Sequence, residues 1–261
     1  MAFAGAAAAE VTLDGSAVAG LRDTGPGGAF LHYEIDLDII ASGSTDNGLT
    51  FGASLDLDEN NGSTDPEIFI SGDFGTLTIG EVSPMLDRIG LRDIGFVGIG
   101  IDDDLEGLRF DGSEANITYV YSSAGFTAGI SAFLDSSASS CCEGDYGIFL
   151  GYSVDGISAG VAYDYNESIS TSQWGLNLGY STDMYAVNLM YTDGDRGQGW
   201  GFDASYTMDA LTVLAVYADD GGAADYGIGA SYDLGGGLGL AGGIGERNNN
   251  TVWDLGLTMS F

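Results

Sequence analysis

The C-terminal segment of the chain alternates strictly between two kinds of side chain. Apolar residues occupy every second position of the last strand-like stretch (Trp253, Leu255, Leu257, Met259, Phe261), and small or polar residues occupy the positions between them (Asp254, Gly256, Thr258, Ser260). Successive side chains of a β-strand point to opposite faces, so this pattern predicts a strand with one apolar and one polar face. It starts before a "GGG" turn and runs to the final residue.

The same alternation recurs along the chain and predicts about sixteen strands, an even number. Their expected ranges are 10–22, 29–41, 49–58, 66–73, 76–81, 115–122, 126–135, 146–154, 157–165, 172–181, 184–192, 199–208, 211–218, 225–234, 238–246 and 251–261. Short turns such as "DG" at 155–156 alternate with longer polar loops such as "DGDRGQ" at 193–198. In an up-and-down barrel this arrangement places all tight turns at one end, which is typical of outer-membrane barrels.

The chemistry of the two strand faces predicts whether each face meets lipid or water. A soluble sandwich or barrel would turn its apolar faces inward, but the many polar faces predict a wet interior too large for side chains to fill. Aromatic residues also concentrate near strand ends, as in the two girdles that flank a lipid-facing band: Tyr146, Tyr165, Trp174, Tyr180, Tyr185, Tyr191, Trp200, Tyr206, Tyr226 and Trp253. We therefore predict an all-β fold, a transmembrane antiparallel β-barrel with lipid outside and water inside.

Composition excludes several other classes of protein. The chain has 44 Gly and 3 Pro among 261 residues, and a formal net charge of -33, which repels nucleic acids. It has no apolar stretch of about 20 residues that would form a transmembrane helix. The single His32 has no nucleophile partner in the sequence, and the HExxH motif is absent. We therefore expect that the protein is not an enzyme.

Several stretches of the chain together resemble one known family. The segments "SGSTDNGLTFGAS", "ISGDFGTLTIGE", "GASYDLGGGLGLAGG" and the final "DLGLTMSF" are similar to the general diffusion porins of alphaproteobacteria, the Rhodobacter type. The resemblance implies a sixteen-stranded homotrimer in the outer membrane of a Gram-negative bacterium. It also implies a water-filled channel for passive diffusion of small hydrophilic solutes and ions. The terminal Phe261 resembles the signature that the barrel assembly machinery reads.

A long connection between the fifth and sixth predicted strands, residues 82–114, is the candidate constriction loop. Loops of this length are usually functional or disordered, and the apolar content of this one favours packing against the inner wall of the barrel. An exterior lid is the alternative. The resemblance likewise implies that the third long loop folds into the lumen.

The charges of the constriction loop and of the facing wall are the candidate pore residues. The loop carries Asp87, Arg88, Arg92, Asp93, Asp102, Asp103, Asp104, Glu106 and Arg109, and the predicted inward positions of the first three strands are Arg22, His32, Glu34, Asp36, Asp38, Asp56 and Asp58. Porins of this type usually carry Arg or Lys on the second and third strands, whereas this wall is acidic. We predict a cation-selective channel, since acidic groups favour the passage of cations. A substrate-specific channel, a plugged structural or adhesive barrel, and solvated loop ion pairs without function remain alternatives.

Three further features yield secondary hypotheses. The run Asp102, Asp103 and Asp104 offers carboxylate oxygens to Ca²⁺, although it lacks the spaced ligands of a dedicated calcium loop, and we expect no other cofactor. Residues 1–9 end in a pattern like a signal-peptidase site and are interpreted as the remnant of an export signal before a barrel domain at 10–261. The adjacent Cys141 and Cys142 form either a strained, labile disulfide or two free thiols.

Overall fold

The computed structural model describes residues 10–58, 64–108, 115–134 and 144–261. It contains sixteen β-strands. They are β1 (Glu10–Asp23), β2 (Phe30–Ser44), β3 (Thr50–Asp58), β4 (Glu67–Gly72), β5 (Gly75–Val82), β6 (Ala115–Ser123), β7 (Phe126–Ala132), β8 (Tyr146–Val154), β9 (Ile157–Asn166), β10 (Thr171–Ser181), β11 (Tyr185–Gly194), β12 (Gly199–Met208), β13 (Leu211–Asp219), β14 (Asp225–Gly235), β15 (Leu238–Arg247) and β16 (Asn250–Ser260).

Each strand pairs antiparallel with its neighbours in sequence, and β1 pairs with β16 to close the barrel. The closing register places Arg22 opposite Asp254 and Gly20 opposite Gly256. The backbone of Phe261 extends this ladder, since its amide donates to the Gly15 carbonyl at 3.0 Å and its carbonyl accepts from the Gly15 amide at 2.8 Å. Closure leaves no open sheet edge, which is the condition for a β-structure to span lipid. The predicted sixteen-stranded barrel is confirmed.

The alternation predicted from sequence sorts side chains onto the two sides of the wall. On β16, Leu255 is 55% exposed on the outer surface, whereas Asp254 is 3% exposed on the inner one. The tight hairpin between β8 and β9 turns at Asp155 and Gly156, both with positive φ (49° and 82°). Two consecutive residues of this kind match the right-handed twist of the flanking strands, and Asp and Gly tolerate the conformation.

Aromatic side chains pair across strands near both ends of the barrel. Toward the tight turns, Tyr185 lies 5.0 Å from Tyr206 between ring centroids. Toward the long loops, Trp174 lies 5.4 Å from Tyr191, and Tyr146 lies 5.4 Å from Tyr165. Between them the outer surface is a band of exposed aliphatic side chains. This is the arrangement expected of a wall that meets hydrocarbon, with amphipathic rings at the two interfaces.

The helical structure in the described residues is confined to the segment between β5 and β6. A 3₁₀ turn spans Met85–Arg88, and the short helix α1 spans Asp103–Gly107. Among the described residues, no helix is long and apolar enough to cross a membrane. The buried apolar residues also concentrate here, and they pack inside the barrel instead of in a separate domain.

Substitution of an outward side chain tests the assignment of the outer face. Leu189 lies at the middle of β11 and is 43% exposed. We expect Leu189→Arg to lower the free energy of unfolding in lipid vesicles by about 2–4 kcal/mol, because a guanidinium at the bilayer midplane is poorly solvated. Ser231→Arg on the lumen side of β14 is the matched control and should change stability little. Equal effects of the two substitutions would contradict the assignment.

Candidate pore constriction

The constriction loop folds into the barrel and packs against the inner wall. Most of its apolar side chains are almost completely buried: Met85, Leu86, Ile89, Ile94, Phe96, Ile99, Ile101 and Leu105. They form two clusters with wall residues, one including Ala162, Met190 and Ala218, the other Val216 and Val252. An exterior lid would leave these side chains in water, so the described part of the loop, up to Leu108, is an internal loop.

Glycines on the inner face of the wall make room for the loop. A Cβ on Gly256 of β16 would stand 2.7 Å from Cγ of Phe96. On β12, a Cβ on Gly201 would stand 2.7 Å from Cδ1 of Leu91. Separations below about 3.0 Å require one of the two groups to move. The inward glycines therefore form a flat surface on which the loop lies.

Inward aspartates accept hydrogen bonds from the backbone of the loop. Asp164 of β9 accepts from the Leu86 amide at 3.3 Å, and Asp203 of β12 accepts from the Arg92 amide at 3.2 Å. Asp254 of β16 accepts from the amides of Phe96 at 3.0 Å and Val97 at 3.4 Å. The three carboxylates are each at most 3% exposed. Irregular backbone lacks a ladder partner, so these acceptors satisfy amides that would otherwise be buried without one.

A pair of asparagines holds the loop between its first two anchors. The Gly90 amide donates to Oδ1 of Asn177 at 3.0 Å, and the Gly90 carbonyl accepts from Nδ2 of Asn177 at 2.9 Å and from Nδ2 of Asn188 at 2.7 Å. Asn188 also donates to Asp203 at 3.1 Å. The amide groups of β10 and β11 thus extend the row of anchors across consecutive strands.

Three described arginines join the loop to the wall: one loop arginine binds a wall oxygen, and two wall arginines bind loop oxygens. Nε of Arg92 donates to Oδ1 of Asp203 at 2.7 Å. Arg22 of β1 lies on the lumen side, where Nη2 donates to the Gly98 carbonyl at 2.8 Å. Arg247 of β15 lies 3.0 Å from Asp103. Their positive charge is therefore used to hold the loop to the wall.

Arg88 has a different kind of partner. Its Cζ lies 5.5 Å from the centroid of the Phe149 ring, an inward aromatic on β8. The face of an aromatic ring attracts a cation without neutralising it. Arg88 also borders a space of about 400 Å³ between the 3₁₀ turn and the inner faces of β4–β6, together with Glu67, Thr78 and Thr118. Among the described residues of the loop, Arg88 is thus the cation that borders this space.

The predicted acidic wall lies on the lumen side of β2 and β3. The register pairs Asp36 with Asp58 and Asp38 with Asp56. His32 places its ring 6.0 Å from that of Phe96, and its Nε2 lies 3.4 Å from Oε2 of Glu34. Two arginines of the loop turn away from these acids, since Arg92 binds β12 and Arg88 lies against Phe149 of β8.

The acidic run 102–104 divides between two environments. Asp104 accepts a hydrogen bond from Nδ2 of Asn248 and lies 3.6 Å from Nε of Arg247. Asp102 is 5% exposed. Burial, and then the neighbouring carboxylates of Asp93 and Glu106, raise the pKa of Asp102 to about 8. Asp93, in turn, has its pKa raised by burial. The structure therefore groups Asp102 with Asp93 and separates it from Asp104.

Sequence reasoning missed the anchoring residues Asp164, Asp203 and Asp254, and also Arg247. The alternation indicates that these side chains point into the barrel. Their hydrogen-bond and ion-pair partners, however, lie far away in the sequence. Four predicted features lie outside the described residues: Arg109, the export-signal remnant at 1–9, and the two cysteines Cys141 and Cys142.

Comparison with known proteins assigns the barrel to a family. The family model described as Gram-negative porin matches residues 1–252. The chain belongs to the Gram-negative porin family. It is accordingly a channel-forming β-barrel of the outer membrane and not an enzyme, as predicted. No curated protein sequence matches the chain.

Solved porin structures share the fold. A porin refined at 1.8 Å resolution superposes with a TM-score of 0.78 at 23% identity, over 97% of this chain and 100% of that one. A triple mutant of the Rhodopseudomonas blastica porin gives a TM-score of 0.74 at 23% identity, with the same coverage. At this level of identity the likeness concerns the barrel and not individual pore residues.

Removal of one anchor tests the role of the wall aspartates. Asp254→Ala removes the acceptor of the buried Phe96 amide, a cost of about 1–3 kcal/mol, and also that of the partly buried Val97 amide. We expect the loop to loosen, with larger current fluctuations in single-channel recordings and faster proteolysis within residues 90–100. Asp220→Ala, which removes an acceptor from the amide of Gly222 in an external loop, is the control. Recordings as quiet as those of the unmodified protein would show that Asp254 does not anchor the loop.

Proposed function

We propose that this porin forms a water-filled, cation-selective path for small hydrophilic solutes and ions. The observation that carries the proposal is the acidic lumen face of β2 and β3, where Asp36, Asp38, Asp56 and Asp58 lie in register across two strands. Carboxylates that line a path raise the local concentration of cations and lower that of anions. The path runs between this face and the constriction loop.

The ion pairs of the arginines support a net negative charge in the lumen. Arg92 and Arg247 are each in contact with carboxylates, so their charge is largely compensated. The acids of the wall face the path, and Arg88 contributes a single guanidinium beside Glu67. The net charge along the path is therefore negative, and the field across it is set mainly by the wall.

The position of the loop favours an open channel over a plugged barrel. Its described hydrogen bonds run to strands of the arc from β7 through β16 to β1. The space of about 400 Å³ lies beside β4–β6, outside this arc. Hydroxyl and charged groups form most of its lining, beside Val82, Pro84 and Met85, whereas a substrate-specific channel would present a continuous apolar or aromatic track. These features support general diffusion.

Charge removal at the wall tests the selectivity. We expect the triple substitution Asp36→Asn, Asp38→Asn and Asp56→Asn to move the reversal potential under a KCl gradient toward zero. The effect should be large at 0.1 M salt and small at 1 M, because the screening length falls from about 10 Å to about 3 Å. Stability should change little, because like-charge repulsion is relieved.

A control with the same change in net charge separates local from global effects. Asp155→Asn, Asp209→Asn and Asp220→Asn remove three carboxylates at the ends of the barrel, and Asn tolerates the positive φ of Asp155 and Asp209. The reversal potential of this variant should stay near that of the unmodified protein. If the two triple variants behave alike, the wall acids do not set the selectivity.

We propose further that the barrel assembles as a homotrimer, with β3–β5 at the subunit contact. A β-strand needs about 9–11 residues to cross a bilayer, but β4 has only 6. Its outward Ile68 is 64% exposed, and Ile79 on β5 is 49% exposed. A low apolar wall of this kind is best covered by another subunit. The exposed Phe261 at the end of the closing strand is the part proposed to engage the barrel assembly machinery during insertion.

Mass measurement tests the assembly. We expect light scattering in mild detergent to give three chains per particle, and Ile68→Arg to shift the particles toward monomers while the barrel remains folded. Leu189→Arg on the far side of the barrel should destabilise folding without this specific dissociation. Monomers of the unmodified protein, with the β-structure intact by circular dichroism, would refute the proposed trimer.

A further inference from the structure

Each of the three tryptophans of the chain lies opposite an aspartate at the long-loop end of the barrel. The antiparallel register pairs Trp174 of β10 with Asp193 of β11, Trp200 of β12 with Asp219 of β13, and Trp253 of β16 with Asp23 of β1. Residues directly opposite each other have Cβ atoms about 4.5–5.5 Å apart and share one face of the sheet. We call these three juxtapositions the Trp–Asp pairs.

The aspartates of the pairs on β11 and β13 point away from the lumen. Asp193 follows Thr192, which is completely buried on the inner side, and Asp219 follows Ala218, which is buried there too. Successive residues of a strand face opposite sides of the sheet, so both carboxylates lie on the outer surface. Acidic side chains therefore stand among the rings of the outer girdle, where hydrocarbon gives way to lipid headgroups.

A second aromatic ring completes each of these two sites in the same way. Tyr191 stands two positions before Asp193, and its ring centroid lies 5.4 Å from that of Trp174. Tyr217 stands two positions before its own aspartate, and its ring centroid lies 5.1 Å from that of Trp200. The Tyr191 hydroxyl also donates to Oδ2 of Asp193 at 3.4 Å, which holds that carboxylate beside the rings. Two tilted aromatic faces and one carboxylate thus meet at each site.

No basic side chain of the described residues lies on the outer wall beside these carboxylates. The chain has six basic residues. Four of them lie in the lumen or on the loop inside it: Arg22, Arg88, Arg92 and Arg247. Arg196 is in the external connection between β11 and β12, and Arg109 lies outside the described residues. The described ion pairs include neither Asp193 nor Asp219, so the girdle presents aromatic faces and negative charge without a cation of its own.

We propose that the Trp–Asp pairs bind the ammonium headgroups of membrane lipids at the external rim of the barrel. The face of an aromatic ring attracts a cation, tryptophan most strongly, and quaternary ammonium groups are common ligands of such sites. A carboxylate beside the ring adds a direct charge attraction. A lipid phosphate, by contrast, is repelled by the carboxylate and meets no described arginine on the wall. Proteins that bind anionic lipids use clusters of Lys and Arg, and this girdle has the opposite chemistry.

The residue after Asp219 provides a matched control. Oδ1 of Asp219 accepts from the Gly221 amide at 2.9 Å, and Oδ1 of Asp220 accepts from the Gly222 amide at 2.9 Å. An asparagine keeps an oxygen for each of these bonds. Asp219→Asn and Asp220→Asn therefore remove the same charge from adjacent positions and preserve the same turn. Of the two, only Asp219 lies opposite a tryptophan.

Tryptophan fluorescence in mixed vesicles tests the proposal. The substitutions Trp174→Phe and Trp253→Phe leave Trp200 as the reporter of its own site. This protein is reconstituted with EDTA into vesicles of phosphatidylcholine and phosphatidylglycerol, and quenching is compared when one lipid or the other carries brominated acyl chains. We expect phosphatidylcholine to be enriched about twofold to fivefold around Trp200 over its share of the vesicle, as for an exposed cation–π contact. Asp219→Asn should bring this ratio close to one, and Asp220→Asn should leave it unchanged.

Other outcomes overturn the proposal. Equal losses in Asp219→Asn and Asp220→Asn would show that the net charge of the protein repels phosphatidylglycerol without a specific site. If MgCl₂ enriches phosphatidylglycerol around Trp200 and Asp219→Asn abolishes that effect, the carboxylate binds lipid phosphate through a divalent cation instead. A ratio near one in the protein with both aspartates, or one that survives Asp219→Asn, equally refutes an ammonium site.

The pair on β10 and β11 allows an independent repeat. With Trp174 as the only tryptophan, Asp193→Asn is the test substitution. Asp195→Asn is its control, since Asp195 lies in the external connection and accepts from the Ser172 amide at 2.8 Å, a bond that asparagine retains. This second pair decides the question if Asp219→Asn impairs folding. Retained enrichment in folded Asp193→Asn would refute the proposal as well.

Discussion

The hydrogen bonds from the backbone of the constriction loop to aspartates of the wall are the interaction on which the pore depends. A loop inside a barrel has amides without ladder partners and must find acceptors in the wall. Asp164, Asp203 and Asp254 provide them on three strands spread around the barrel. The inward glycines beside them let the loop approach closely enough for these bonds to form. The loop therefore has a defined course, and the open part of the lumen follows from that course.

The anchors divide the acidic residues of the lumen into two populations with different physical roles. The carboxylate of Asp254 is buried and receives amide and guanidinium neighbours, so its charge holds the fold together. Asp36, Asp38 and Asp56 lie on the lumen face of β2 and β3 and are the carboxylates proposed to face the path. The formal charge of -33 alone says nothing about this division. Under the proposed function, selectivity depends on the second population, so the formal charge of the sequence is a poor measure of the pore.

The barrel was predictable from sequence because its determinants are local. Alternation along β16, the Asp155 and Gly156 turn and the aromatic ends of β10 and β11 each follow from neighbouring residues. The course of the loop was predictable only in outline, because apolar content shows that residues such as Ile94 and Phe96 need cover but not which strand covers them. Arg92 illustrates the limit. Its partner Asp203 lies 111 positions away, so no local pattern identifies the pair.

The run of three aspartates at 102–104 shows how geometry separates neighbours in sequence. Asp102 precedes α1 and Asp103 opens it, so successive side chains leave the backbone in directions about 100° apart in a regular helix. Asp104 is thereby carried toward Arg247 and Asn248, while Asp102 stays beneath the fold-back beside Asp93. A contiguous acidic run in the sequence therefore does not mark a single cluster of carboxylates in the structure. Asp93 lies beside Asp102 although they are nine positions apart, because the glycines at 98 and 100, both with positive φ, turn the chain back.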